Sequence, residues 1–137
     1  MVDEYIAARV VGGDWPAGLP DDEVGLTSAR HWRLLQALHG GRGGQLSQLL
    51  ARLSPAGRDG MRYPHPEVLQ VLDPRPVLDE AAILASRFGG TALLVAETLA
   101  AGLTHGRQLW FGTPVNVGNL LRRAAAELGI AVHVAGA

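Results

Sequence analysis

The sequence predicts an α/β fold, with a short and mostly parallel sheet in a three-layer α/β/α arrangement. Three observations lead there. Four short apolar runs, at 24–27, 68–72, 108–111 and 130–134, alternate with longer stretches of helical periodicity. Glycines stand where those helical stretches stop. The chain has 137 residues, 47% hydrophobic and 18% charged, which suits one compact domain spanning 1–137.

The elements follow in order. Over 3–11, Tyr5, Ile6, Ala8 and Arg9 keep helical spacing, and Gly12 with Gly13 closes the helix. The acidic turn Asp21-Asp22-Glu23 precedes a strand at 24–27. Ser28 then caps a helix carrying Trp32, Leu34, Leu35 and Leu38, stopped by Gly40 and Gly41. A helix over 45–53 places Leu46, Leu49, Leu50 and Leu53 on one face. Residues 12–20 and 54–66, rich in Pro and Gly, read as loops within the domain.

After a strand at 68–72 comes a helix over 76–88, with Val77, Ala81, Leu84 and Phe88 facing a core and Gly89-Gly90 ending it. Thr91 caps a helix over 92–103 that is apolar almost all round, the pattern of a helix buried between layers. A strand at 108–111 leads to Thr113 and Pro114, which start a last helix. Its apolar positions are Val117, Leu120, Leu121, Ala124, Ala125 and Leu128; Gly129 ends it and a strand at 130–134 closes the chain. Right-handed βα crossovers put the carboxyl ends of all parallel strands on one edge, where sites in such folds sit.

Composition removes several function classes. With no cysteine, disulfides, thiolate-zinc sites, iron–sulfur clusters and thiol nucleophiles are excluded. The net charge of -1 gives no global pull toward nucleic acid, and all twelve basic residues are arginine. The apolar runs fall short of the roughly 18 residues of a membrane span. Met1-Val2-Asp3-Glu4 lacks the basic start of a signal peptide, so a cytoplasmic location and no membrane partner are expected. Gly40-Gly41-Arg42-Gly43-Gly44 lacks the Gly-Lys-Ser/Thr ending of a P-loop. Ser28 has no His/Asp pattern around it, and the five histidines lie too far apart to share zinc.

The second half of the chain carries a more specific pattern. The strand at 68–72 precedes Pro74 and Pro76. An Ala-rich helix ends Arg87-Phe88-Gly89-Gly90, and the apolar helix with Glu97 follows. His105-Gly106-Arg107-Gln108-Leu109-Trp110 enters a strand, and the last helix ends Ala124-Ala125-Ala126-Glu127-Leu128-Gly129-Ile130. In order, length and spacing this layout resembles the PIN-domain family, especially the small VapC-type toxins. Val2-Asp3 before a helix resembles the family's opening strand and first acid.

The resemblance implies a Rossmann-like α/β/α fold and a cluster of acids at the strand ends that holds Mg²⁺ or Mn²⁺ for RNA hydrolysis. It also implies an antitoxin protein as partner, RNA as substrate, and a homodimer formed through the helical region of Leu46, Leu49, Leu50 and Leu53 or the face from Leu34 to Leu38. Hard divalent ions take oxygen ligands, activate water and neutralise phosphate charge. Position by position, Asp3 matches the first acid. Where the second is expected the chain reads Ala29-Arg30-His31-Trp32-Arg33. The third aligns with Leu94, and the fourth falls in Gly112-Thr113-Pro114-Val115-Asn116.

Glu97 is the one charge between Arg87 and Arg107, three residues beyond Leu94 and on its helix face. A carboxylate in an apolar helix needs a cation, a metal or hydrogen bonds. It is expected either as a displaced catalytic acid facing Asp3, Thr113 and Asn116, or paired with Arg30 or Arg33, or facing solvent. The candidate site is therefore Asp3 and Glu97 as catalytic and metal-binding acids, lined by Leu94, Thr113, Asn116, Arg30 and Arg33. Arg30 to Arg33 is expected to place Trp32 in the core with the arginines on the rim. Two functional expectations follow: a metal-dependent endoribonuclease weakened by its missing acids, or a non-catalytic PIN-like module that binds a protein or RNA.

Overall fold

The computed structural model describes residues 1–21, 23–41 and 44–135. Asp22 of the acidic turn, and Arg42 and Gly43 of the glycine-rich connection, lie outside them. The described residues form a mixed α/β structure of seven α-helices, one 3₁₀ turn and four short strands. In order these are α1 (Glu4–Val11), β1 (Gly25–Leu26), α2 (Ser28–Gly40), α3 (Gly44–Ala51), α4 (Pro55–Arg62), β2 (Gln70–Val71), α5 (Arg75–Arg87), α6 (Leu93–Thr104), β3 (Gln108–Phe111), the 3₁₀ turn Pro114–Asn116, α7 (Asn119–Leu128) and β4 (Ala131–Val134).

The strands make two parallel pairs. Gly25 is in register with Gln70 in one, and Gln108 with Ala131 in the other. The first residues of the chain lie between the pairs. Val2 bridges Trp110 in parallel. The Trp110 amide donates to the Met1 carbonyl (2.8 Å), the Asp3 amide to the Trp110 carbonyl (2.9 Å) and the Val2 amide to the Gly25 carbonyl (2.9 Å). The lateral order is β2, β1, the N-terminal residues, β3, β4. The N-terminus is thereby the middle of the array, although only Val2 has strand pairing.

Side chains alternate between two apolar clusters. Leu109 and Phe111 enter one, with α5, α6 and α7; Trp110 packs against the other, with α1 to α4. Met1 and Val2 divide in the same way. That is the period of two expected of strands covered on both faces.

Four sequence expectations change. Residues 54–66 are not all loop, because α4 lies within them. The Ser54 side chain accepts from the Gly57 amide, and Pro55 sits in the first turn, where its missing N–H costs nothing. The last helix does not run from Thr113. Thr113 caps only the 3₁₀ turn, by accepting from the Val115 amide, and α7 starts afresh after Gly118. The strands at 24–27 and 68–72 are each reduced to two paired residues. Caps shift too: Thr27, not Ser28, accepts from the Arg30 amide at the start of α2, and Ala92, not Thr91, precedes α6.

The leucines expected at a dimer interface are largely core. Leu34, Leu38, Leu46 and Leu50 are buried in the first cluster, and Leu49 and Leu53 pack partly against it. Their apolar faces pack within one chain, on the side of the strands that Trp110 faces. Trp32 and Arg30 exchange their expected places: Trp32 is 61% exposed and Arg30 1%. The buried face of α2 carries Arg30, Leu34 and Leu38, at intervals of four, and Trp32 lies off that stripe. Among the described residues, no helix is long and apolar enough to cross a membrane.

Candidate functional site at the strand carboxyl edge

The carboxyl ends of the strands gather a buried polar layer. Asp3 ends the N-terminal segment and caps α1. Its Oδ1 accepts from the Ile6 amide (2.9 Å), and its Oδ2 accepts from the Gly112 amide (3.0 Å) and Asn116 Nδ2 (2.9 Å). Burial raises the Asp3 carboxyl above its ordinary value of 3.8, and the neighbouring Glu4 charge adds to this. The donors from Ile6, Asn116 and Gly112 pull the other way without cancelling it.

Glu4, the next residue, is fully buried. Its Oε2 accepts from Arg30 Nη1 (2.8 Å), and its Oε1 from Asn116 Nδ2 (3.1 Å), with Arg33 Nη1 at 3.4 Å. Arg30 also donates from Nε to Thr98 Oγ1 (2.8 Å) and lies over the Phe111 ring, 5.3 Å from its centroid. The Thr98 hydroxyl in turn donates to the Leu94 carbonyl (2.8 Å). An arginine can be buried here because its charge, two of its N–H groups and its flat face each have a partner. Among the described residues no buried side-chain nitrogen or oxygen lacks a hydrogen-bond partner.

Glu97 is buried but belongs to another part of the layer. Its Oε1 accepts from Ser28 Oγ (2.9 Å) and the Ala29 amide (3.3 Å), at the first turn of α2. A carboxylate facing the amides of a helix start is well placed electrostatically. Neither Arg30 nor Arg33 pairs with Glu97; both meet Glu4. Asp73, just after β2, completes the acids of this edge and is clasped by Arg75, whose Nε lies 3.0 Å from both carboxylate oxygens. That contact lowers the Asp73 pKa.

The expected site residues therefore fall into separate groups. Asp3 and Asn116 are brought together. Asp3 and Glu97 share no hydrogen-bond partner. Thr113 caps the 3₁₀ turn, and Leu94, half-buried, contributes its carbonyl to Thr98. Arg30 is a correction: expected on the rim of a pocket, it is sealed beneath it, since only there does it meet Glu4, Thr98 and Phe111. Arg33 is open, its side chain 42% exposed.

These residues do not fit a divalent ion. N–H donors point at both oxygens of Asp3, Arg30 and Asn116 at those of Glu4, and Ser28 and the Ala29 amide at Glu97 Oε1, so a metal would have to displace these partners. Among the described residues no group of three or more His, Cys, Asp or Glu side chains is placed to hold a metal.

Beside this layer lies an open face around Tyr5. One cleft of about 500 Å³ is lined by Tyr5, Arg33, Gln36, Ala37, Leu46 and Ser47. A second, of about 520 Å³, takes in Tyr5, Arg9, Gln45, Gln48, Arg52 and Gly112. Arg9 is held by Asp14 at 2.9 Å. Gly112 is needed where β3 meets α1, because a Cβ there would stand 2.6 Å from that of Tyr5.

Sequence reading missed Glu4, Thr98 and the Tyr5 face. A glutamate in a first helical turn ordinarily reads as an exposed partner of the helix dipole. The available signal was its spacing to Ala7 and Ala8, small residues three and four positions on that line the buried face of α1. Neither family models, nor curated proteins, nor solved structures give a match to this chain.

Proposed function

We propose that this chain is a PIN-like α/β/α module that binds RNA without cleaving it. Support for the architecture comes from the lateral order of parallel strands, with the N-terminal residues in the middle, and from helices packed on both faces. The observation that carries the functional reading is the engagement of the edge acids: Asp3, Glu4, Glu97 and Asp73 each meet protein donors. Metal-assisted hydrolysis needs carboxylate oxygens open to Mg²⁺ or Mn²⁺ and to water, and this bonding turns most of those oxygens to protein donors. The expected pair of Asp3 and Glu97 is the weakest part of a nuclease reading, since the two bond to different elements.

The neighbouring face offers what a single strand of RNA needs. The Tyr5 ring provides a stacking surface, Arg33 and Arg52 supply charge for phosphates, and Gln36, Gln45 and Gln48 supply amides for base edges. RNA is favoured over a protein partner because arginine, amide and ring side chains are set among the few apolar ones here, Ala37, Leu46 and Leu49.

The test is fluorescence anisotropy with short single-stranded RNA, run beside a cleavage assay in Mn²⁺. Binding is expected to weaken several-fold in Arg52→Ala, with the salt dependence of log K reduced by about one unit for each lost phosphate contact. No cleavage is expected. Mn²⁺-dependent cutting that disappears in Asp3→Ala would overturn the non-catalytic reading, and binding unaffected by both Arg52→Ala and Tyr5→Ala would overturn the RNA reading.

A further inference from the structure

The buried guanidinium of Arg30 has the surroundings of a bound cation. It lies at the carboxyl end of the strands, 1% exposed, with a carboxylate oxygen of Glu4 and the hydroxyl oxygen of Thr98 both at 2.8 Å. Glu4 has no exposure, and beside it Asn116 ties its carboxylate to that of Asp3. Two carboxylates this deep would repel one another and would each carry a desolvation cost without a positive charge among them. Arg33 approaches Glu4 more loosely, at 3.4 Å and half open to solvent. Arg30 is thus the one deeply buried cation on this pair among the described residues.

We propose that the Arg30 guanidinium is the resident counter-cation of this edge, seated where its acid pair would otherwise draw a divalent ion from solution. This deepens the non-catalytic reading and rests on it: a cation covalently part of the chain cannot be exchanged, so the edge stays closed to metals. Oxygen ligands for a hard ion are present once the guanidinium goes. They are Glu4 Oε2 and Thr98 Oγ1, the two oxygens that Arg30 now occupies, with water completing the shell. Arg30→Met is the chosen variant because it keeps much of the side chain's length while removing its charge and donors.

The experiment measures thermal unfolding of the full chain with MnCl₂, MgCl₂ or EDTA as the only addition. Wild type is expected to melt at the same temperature in all three. Arg30→Met is expected to melt lower in EDTA and to recover with rising Mn²⁺, as any ligand selective for the folded state stabilises it. If Arg30→Met is unfolded in EDTA, Mn²⁺ is expected to restore its far-ultraviolet circular dichroism. The paired variant Glu4→Gln with Arg30→Met removes both charges and is expected to show no metal response.

An Arg30→Met chain that neither gains stability nor refolds with Mn²⁺ would overturn the proposal. So would a wild-type chain that Mn²⁺ stabilises through Asp3, shown by loss of the effect in Asp3→Asn. The RNA anisotropy and the Mn²⁺ melting curves are separate readouts, so failure of RNA binding leaves the role of Arg30 to be decided by the melting curves alone.

Discussion

At the strand edge, Asp3, Glu4, Arg30 and Glu97 are all buried, and their charged groups meet partners at 2.8–3.4 Å. On the Tyr5 face beside it, Arg33, Arg52, Gln36, Gln45 and Gln48 are exposed along two clefts. The edge holds most of the residues that sequence inspection marks as chemical, with Glu4 added by the fold, yet their oxygens and nitrogens are turned on partners within the chain. On the face, sequence inspection marks Arg33 and passes over Tyr5, Arg52, Gln36, Gln45 and Gln48, and these are the residues a ligand can touch. The difference teaches that burial and pairing, more than residue type, decide whether a charge serves the fold or a ligand.

The sharpest way to break this comparison is to unbalance the edge. Glu4→Gln leaves Arg30 buried without its carboxylate, and an expected loss of about 3–5 kcal/mol follows from removing one member of a buried pair. Arg33→Ala touches the same carboxylate from the solvent side and is expected to cost at most about 1 kcal/mol. Urea unfolding of both variants checks the contrast. Equal losses would mean that the edge is no more structural than the face.

A middle-sized effect is expected at the seam between the two regions. Gly112→Ala pushes a methyl group to within 2.6 Å of the Tyr5 Cβ and also stands at the amide that donates to Asp3. Overpacking of this kind costs about 1–3 kcal/mol. The melting temperature is expected to fall, and RNA binding with it, because α1 must shift away from β3. A variant as stable as wild type would mean that this close approach is not constrained.

Much of the fold was legible in the sequence because periodicity and glycine stops are local signals. The helix expected between the Ser28 cap and the Gly40-Gly41 stop, and those at 45–53, 76–88 and 92–103, correspond to α2, α3, α5 and α6 within a residue or two at each boundary. Helix α4 was hidden by Gly57, Gly60 and Pro55, residues that ordinarily break helices. It is held by the Ser54 cap and by burial of Met61. The site was legible only where one residue decides, as with Asp3 and Asn116. Glu97 could be seen as a charge needing a partner, but its partner, the first turn of α2, lies 68 residues or more away in sequence. The ion pair of Arg30 and Glu4 is likewise a product of tertiary packing, which no local pattern encodes.

The smallest expected effect is also the most direct. Because the folded Asp3 carboxyl binds its proton above 3.8, its contribution favours the folded state fully below that pH and is lost as pH rises through the folded midpoint. The decisive measurement is a carbon-13 NMR titration of the Asp3 carboxyl in the folded protein, with and without Mg²⁺. The expected result is a midpoint above 3.8, raised by burial, that Mg²⁺ leaves in place because the carboxylate oxygens already meet N–H donors. A midpoint that Mg²⁺ drives downward would place open oxygen ligands at this edge and contradict its closure to metal ions.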